Sequence, residues 1–153
     1  GEQYVAVSVG WGTVFGLIVP GEQVSISRVL VFKAGGTEKL GERASLASVR
    51  NVWPKREEMP AMAGSPTQVA SGKELYLTRC VWCHGDASLS AGVLPDLRML
   101  DKGQHEKFSE VVLKGTMTSR GMPRFDELLD KKQVESIRQY IIKRAHETRP
   151  ADM

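Results

Sequence analysis

At 153 residues, 41% of them hydrophobic and 25% charged, the chain has room for one well-cored domain plus an appendage, and two full domains would be a tight fit. A formal net charge of +3 without any dense Lys/Arg run describes a solvated surface and argues against a nucleic-acid partner. No stretch approaches the roughly 20 consecutive apolar residues that span a bilayer, and Gly1-Glu2-Gln3-Tyr4 lacks the charged-then-apolar pattern of an export signal.

The N-terminal residues follow a strand rhythm. Tyr4–Val9 and Ser27–Phe32 are rich in β-branched and aromatic side chains, Trp11-Gly12 follows the first run, and Ala34-Gly35-Gly36 ends the second. Val29-Leu30-Val31-Phe32 is apolar on both alternating faces, the pattern of a strand covered on both sides. An isolated hairpin is marginal in water, so the covering sheet is expected to come from elsewhere. Residues 37–67 carry Pro54, Pro60 and Pro66, which suit a linker wrapped over a surface rather than a packed element, with Trp53 as an anchor.

Ser71-Gly72-Lys73-Glu74 has capping-box form, and Leu75, Tyr76, Arg79 and Cys80 then recur at helical spacing. That helix delivers Cys80-Val81-Trp82-Cys83-His84, the C-x-x-C-H pattern of covalent haem attachment, which contains both cysteines of the chain. Each thiol adds to a haem vinyl group, so the spacing must align both sulfurs along one porphyrin edge while the next residue, His84, turns its imidazole to the iron. A zinc site would require further ligands at compact spacing, yet there is no third cysteine, and His105 and His146 stand apart on helical stretches. A C-x-x-C redox disulfide is the other competing use of this pair.

Phe108, Val111 and Val112 share a helical face that Gly115 closes. The Gly- and Pro-punctuated loop that follows holds Gly121-Met122-Pro123, where a stiff backbone can hold a thioether against the haem face opposite His84. A thioether ligand raises the reduction potential and leaves no open iron position, as befits an electron carrier. Met117 is the nearest rival to Met122, while Met59, Met62 and Met99 suit apolar filling and Met153 a frayed tail. Asp130 caps a final helix with Val134, Ile137, Ile141 and Ala145 on one stripe, Lys143, Arg144 and His146 near its C-terminal dipole, and Pro150 beyond its end.

Gly72 through Tyr76, the Cys80–Gly85 run, Leu94-Pro95-Asp96-Leu97-Arg98, Gly121-Met122-Pro123 and Tyr140 together resemble a class I cytochrome c in order and spacing. The resemblance implies a mainly α domain over residues 68–149, three or more helices around one covalent haem c. It also implies that the Pro95 carbonyl accepts a hydrogen bond from His84, that Arg98 lies near a haem propionate, and that Tyr76 meets Tyr140 where the first and last helices cross.

A second resemblance covers the other end of the chain. Gly1-Glu2-Gln3-Tyr4-Val5-Ala6-Val7, Gly10-Trp11-Gly12 and Arg28-Val29-Leu30-Val31-Phe32-Lys33 are similar to the closing propeller strands of quinoprotein alcohol dehydrogenases that use pyrroloquinoline quinone, although Thr13 stands where that family often has a second Gly. Propeller strand, linker and cytochrome is the order at the end of quinohaemoprotein alcohol dehydrogenases. This implies incomplete propeller strands over 1–36, a linker over 37–67, and a catalytic propeller, with its quinone and calcium, upstream of Gly1. The chain itself would have no catalytic residue. It would pass electrons from the reduced quinone to an external acceptor, a copper protein, a cytochrome or a quinone pool, in a bacterial periplasm. An independent electron carrier, a haem-based ligand sensor with Met122 off the iron, and a processed subunit docked to a separate propeller chain are the competing readings.

Overall fold

The computed structural model describes residues 2–9, 28–39, 52–89 and 94–150. The expectations placed on Gly10-Trp11-Gly12, Thr13, Ser27, most of the 37–51 stretch and Met153 lie outside them.

The two expected strands form, as β1 (Tyr4–Val9) and β2 (Arg28–Lys33), paired antiparallel with Tyr4 opposite Lys33 and Val9 opposite Arg28. Among the described residues nothing covers β2, as expected for a strand whose covering sheet comes from elsewhere: Val29, Val31 and Phe32 are 65%, 62% and 55% exposed. Every residue of β1 is exposed as well. A two-stranded ladder satisfies its shared hydrogen bonds but has no second layer on which to bury either face.

The remainder is helical: α1 (Pro66–Arg79), α2 (Val81–His84), α3 (Lys102–Glu106), α4 (Phe108–Lys114) and α5 (Lys131–Thr148), with short 3-10 turns between them. The expected start of α1 at Ser71 is wrong. Ser65 is the N-cap, its side chain accepting from the Gln68 amide at 3.2 Å, and Pro66 takes the first helical position, where its missing N–H has no cost. Ser71 is therefore interior, and Pro66 begins the helix instead of closing a linker. The other two expected ends are observed. Gly115 ends α4 in the left-handed region at φ 67°, and Asp130 and Gln133 form a reciprocal capping box at the start of α5.

The core is centred on the crossing of α1 and α5. Tyr76, Val134, Ile137 and Ile141 are almost fully buried there, joined by Phe108 and Val112 from α4 and by Leu129. Gly72 makes the crossing possible, since a Cβ at that position would collide with the Ser136 carbonyl of α5. One turn later the rings of Tyr76 and Tyr140 meet at 5.3 Å and an angle of 52°.

Residues 52–65 do wrap over a surface, as expected, yet they are also packed. Pro54 and Met59 are buried. The Gln139 side-chain carbonyl accepts from the Ala63 and Gly64 amides at 3.3 and 2.9 Å, His146 Nε2 donates to the Pro60 carbonyl at 2.9 Å, and Arg149 donates to the Pro54 carbonyl. All three anchors project from α5 or its C-cap, so the segment runs as a strap along the last helix.

Candidate haem site

Cys80 is the C-cap of α1 and the N-cap of α2, so the single turn Val81–His84 carries the motif. The His84 amide donates to the Cys80 carbonyl at 2.9 Å, which brings the two thiols and the imidazole onto one turn. Neither cysteine is in a disulfide; Cys83 is exposed and Cys80 half-buried. Burial pushes the Cys80 thiol up to about 11, chiefly through desolvation, with the neighbouring Cys83 adding to the rise.

His84 is turned by its backbone partner. Nδ1 lies 3.4 Å from the Pro95 carbonyl, an acceptor only, so Nδ1–H is the donor and Nε2 keeps its lone pair for a metal. Desolvation lowers the imidazole pKa, and the Pro95 carbonyl opposes part of that fall. The neutral ring, the form that binds a metal, is thereby favoured.

The turn leaves the site through Gly85 at φ 76° and ψ 166°, a conformation that L side chains rarely adopt. The Tyr76 hydroxyl donates to the Gly85 carbonyl at 2.7 Å, so the residue at the helix crossing also holds the exit of the motif-bearing turn. Burial raises the Tyr76 pKa well above its ordinary value, keeping that hydroxyl protonated as a donor. Ala87 and Ser88 follow in left-handed conformations at φ 53° and 66°, unusual for side chains with a Cβ.

Met122 is half-buried and packs on the core; its amide donates to the Met117 carbonyl at 3.3 Å, and Gly121 before it takes φ 90°. The Phe125 amide donates to the Val112 carbonyl at 2.9 Å, tying the loop to α4. Met117 is half-buried too, without a place in that core packing. Leu97, Leu100, Met122 and Phe125 are half-buried and pack against the core. Two thiols and an oriented imidazole on one turn, with a thioether on a pinned loop, fit a covalent haem.

Arg98 is 8% exposed and its donors are turned to protein partners. Nε and Nη2 donate to the two Asp96 carboxylate oxygens at 3.0 and 2.6 Å, and Nη1 donates to the Thr148 hydroxyl at 3.1 Å. The guanidinium carbon also lies 5.5 Å from the centre of the Trp53 ring. Sequence reasoning assigned no role to Asp96. Its signal was the Asp-x-Arg spacing, which places carboxylate and guanidinium on one 3-10 turn, Leu97–Met99, that the same carboxylate caps. His105 was passed over as an isolated histidine. It is 3% exposed, with neither ring nitrogen hydrogen-bonded among the described residues, and burial pushes its pKa down to about 4.

Residues 67–141 match the family model described as cytochrome C oxidase, cbb3-type, subunit III. Quinohemoprotein alcohol dehydrogenase ADH IIB of Pseudomonas putida is 36% identical over 96% of this chain and 21% of its own length, and the quinohemoprotein alcohol dehydrogenase of Comamonas testosteroni is 32% identical over 98% and 20%. Among solved structures, ADHIIG of Pseudomonas putida superposes with a TM-score of 0.70 at 38% identity, covering 96% of this chain and 21% of that one. The chain thus spans about a fifth of the length of these relatives. It carries a cytochrome c domain and is homologous, over nearly all of its length, to the C-terminal cytochrome part of the quinohaemoprotein alcohol dehydrogenases.

Proposed function

We propose that this chain is the electron-transfer part of an alcohol-oxidising quinohaemoprotein. A class I cytochrome c domain, from the helix that starts at Pro66 to about residue 149, follows a linker that ends at Ser65 and the closing strands of a propeller over 1–36. The observation that carries the reading is the placement of Cys80, Cys83 and His84 on one turn, with His84 Nδ1 directed at the Pro95 carbonyl.

In this reading Cys80 and Cys83 would hold the haem through their thiols, and His84 Nε2 and Met122 Sδ would bind its iron. The bound haem supplies one-electron redox chemistry. The protein's own part is to hold the ligands and exclude water: Pro95 sets the His84 ring, Tyr76 and Tyr140 lock the helix crossing, and Met122 would supply a thioether to the bound iron. Arg98, engaged by Asp96 and Thr148, acts on the site mainly through its neighbours; a propionate contact would be additional. No residue here acts as acid, base or nucleophile.

Oxidation of an alcohol to an aldehyde releases two electrons and two protons. The protons and the substrate chemistry belong to a quinone- and calcium-bearing propeller domain or subunit; the electrons pass singly through this domain to an external acceptor, a copper protein, a cytochrome or a quinone pool. The relatives' names, quinohemoprotein alcohol dehydrogenases, support that parentage. Covalent haem supports a bacterial periplasmic setting. Among the described residues, no helix is long and apolar enough to cross a membrane.

The test is a visible and near-infrared spectrum of protein made in a haem-maturing host, alongside a denaturing gel stained for haem. Haem that stays with the chain, a sulfur-to-iron band in the oxidised form, and its loss in Met122→Ala with a gain of carbon monoxide binding are the expected results. Absence of haem overturns the site. Retention of the band in Met122→Ala reassigns the thioether.

A further inference from the structure

The Asp96–Arg98 pair is almost wholly buried, with side chains 2% and 10% exposed, beside the residue whose carbonyl orients His84. Buried ion pairs are costly to form unless their geometry is good and every donor is met. Here the carboxylate takes Nε at 3.0 Å and Nη2 at 2.6 Å, and also the Arg98 amide at 3.0 Å. Thr148, near the end of α5, takes Nη1. The guanidinium carbon lies over the Trp53 ring, 5.5 Å from its centre, and that ring is supplied by the strap rather than by the helical core.

We propose that Trp53 and the Asp96–Arg98 pair form a positioning assembly for the proximal haem ligand, through which docking of the linker strap sets the reduction potential. The inference rests on ligation of haem iron by His84. Asp96 is bonded to the peptide that follows Pro95, so the rigidity of the pair fixes the direction of the Pro95 carbonyl. That carbonyl receives Nδ1–H of His84, and the strength of this bond sets how much electron density the ring gives to iron. Covering the pair with the Trp53 indole keeps water from competing for it, which matters because charged hydrogen bonds weaken sharply with hydration.

The direction follows. A strong Nδ1–H···O bond makes the imidazole more basic and favours the oxidised iron; a loosened Pro95 carbonyl favours the reduced iron, and the midpoint potential rises. Trp53 is half-buried on the strap, away from the α1–α5 core, so its replacement is compatible with folding.

The experiment is a redox titration of the haem-loaded protein with Trp53→Ala, Trp53→Phe and Arg98→Lys, each checked for haem content and for the sulfur-to-iron band. Trp53→Ala should shift the midpoint upward by the equivalent of about a two- to fivefold change in the reduced-to-oxidised ratio at fixed potential, less than the roughly 10- to 100-fold effects of direct partners of a ligand, because Trp53 acts one step further out. Arg98→Lys should shift it the same way, because an ammonium cannot hold both carboxylate oxygens in one plane. Trp53→Phe, which keeps an aromatic face, should stay near the wild type. Should Arg98→Lys fail to fold, the contrast between the two Trp53 variants decides the matter. An unchanged potential in Trp53→Ala, with haem and band intact, overturns the positioning assembly and leaves His84 ligation standing; a wild type without haem overturns His84 ligation itself.

Discussion

Replacing Gly72 by alanine sets two effects of known sign against each other. Alanine is the better helix former, and in an exposed helix interior the exchange would stabilise by about 1 kcal/mol. At Gly72, however, the new methyl would collide with the Ser136 carbonyl and come within 3.0 Å of the Ile137 amide nitrogen, backbone atoms of a helix that cannot move aside as a side chain can. Overpacking of this kind costs about 3 kcal/mol, the upper part of the usual range, because separating the helices also loosens Tyr76 from Tyr140. The net is a destabilisation of about 2 kcal/mol, and for a cytochrome unit of this size that lowers the melting temperature by about 8–16 °C. Thermal unfolding of Gly72→Ala and the wild type, followed at the haem Soret band and by far-ultraviolet circular dichroism, measures it. A melting temperature equal to or above the wild type would refute the close approach of α1 and α5.

Three further outcomes follow from the site and its surroundings. Ala87, at φ 53°, holds a left-handed conformation that glycine adopts without cost, so Ala87→Gly should raise stability by about 1 kcal/mol in urea unfolding; a loss would show that this loop is not left-handed in solution. His105 has a folded pKa of about 4, below its unfolded value, so the unfolded chain takes up the proton first and stability falls as pH drops from about 6.5 toward 4. Urea midpoints at pH 7, 6 and 5 should therefore fall more steeply for the wild type than for His105→Leu, and parallel slopes would exclude a buried neutral imidazole. In Met122→Ala, haem should remain attached through Cys80 and Cys83 while carbon monoxide gains access to the reduced iron; exclusion of the gas would mean that another group closes that face.

Local rules made the turn that carries the C-x-x-C-H motif and the last helix readable. Cys80, Cys83 and His84 need only their spacing, and Asp130 with Gln133 caps α5 through contacts within three residues. The start of α1 was hidden by a decoy, since Ser71 and Glu74 fit the capping pattern while the pair in use, Ser65-Pro66, resembles a linker. The constraint on Gly72 comes from Ser136, far along the chain, and nothing local announces it. Arg98 shows the same limit: its spacing beside Pro95 drew attention, but its engagement by Thr148 and Trp53 depends on the ends of the domain coming together. The exposure of β2, by contrast, was legible, because strand patterning records that a face needs covering and two strands cannot supply the cover.

The strap has a mechanical consequence. Pinned to α5 through Pro54, Pro60, Ala63 and Gly64, it contributes no slack to the chain on the N-terminal side of the haem turn. A loose tether lets a carrier search by diffusion, with rates that depend on tether length and solvent viscosity. A fastened one behaves as a bracket, and inserting flexible residues between Pro54 and Gly64 would unseat the last helix instead of widening the search.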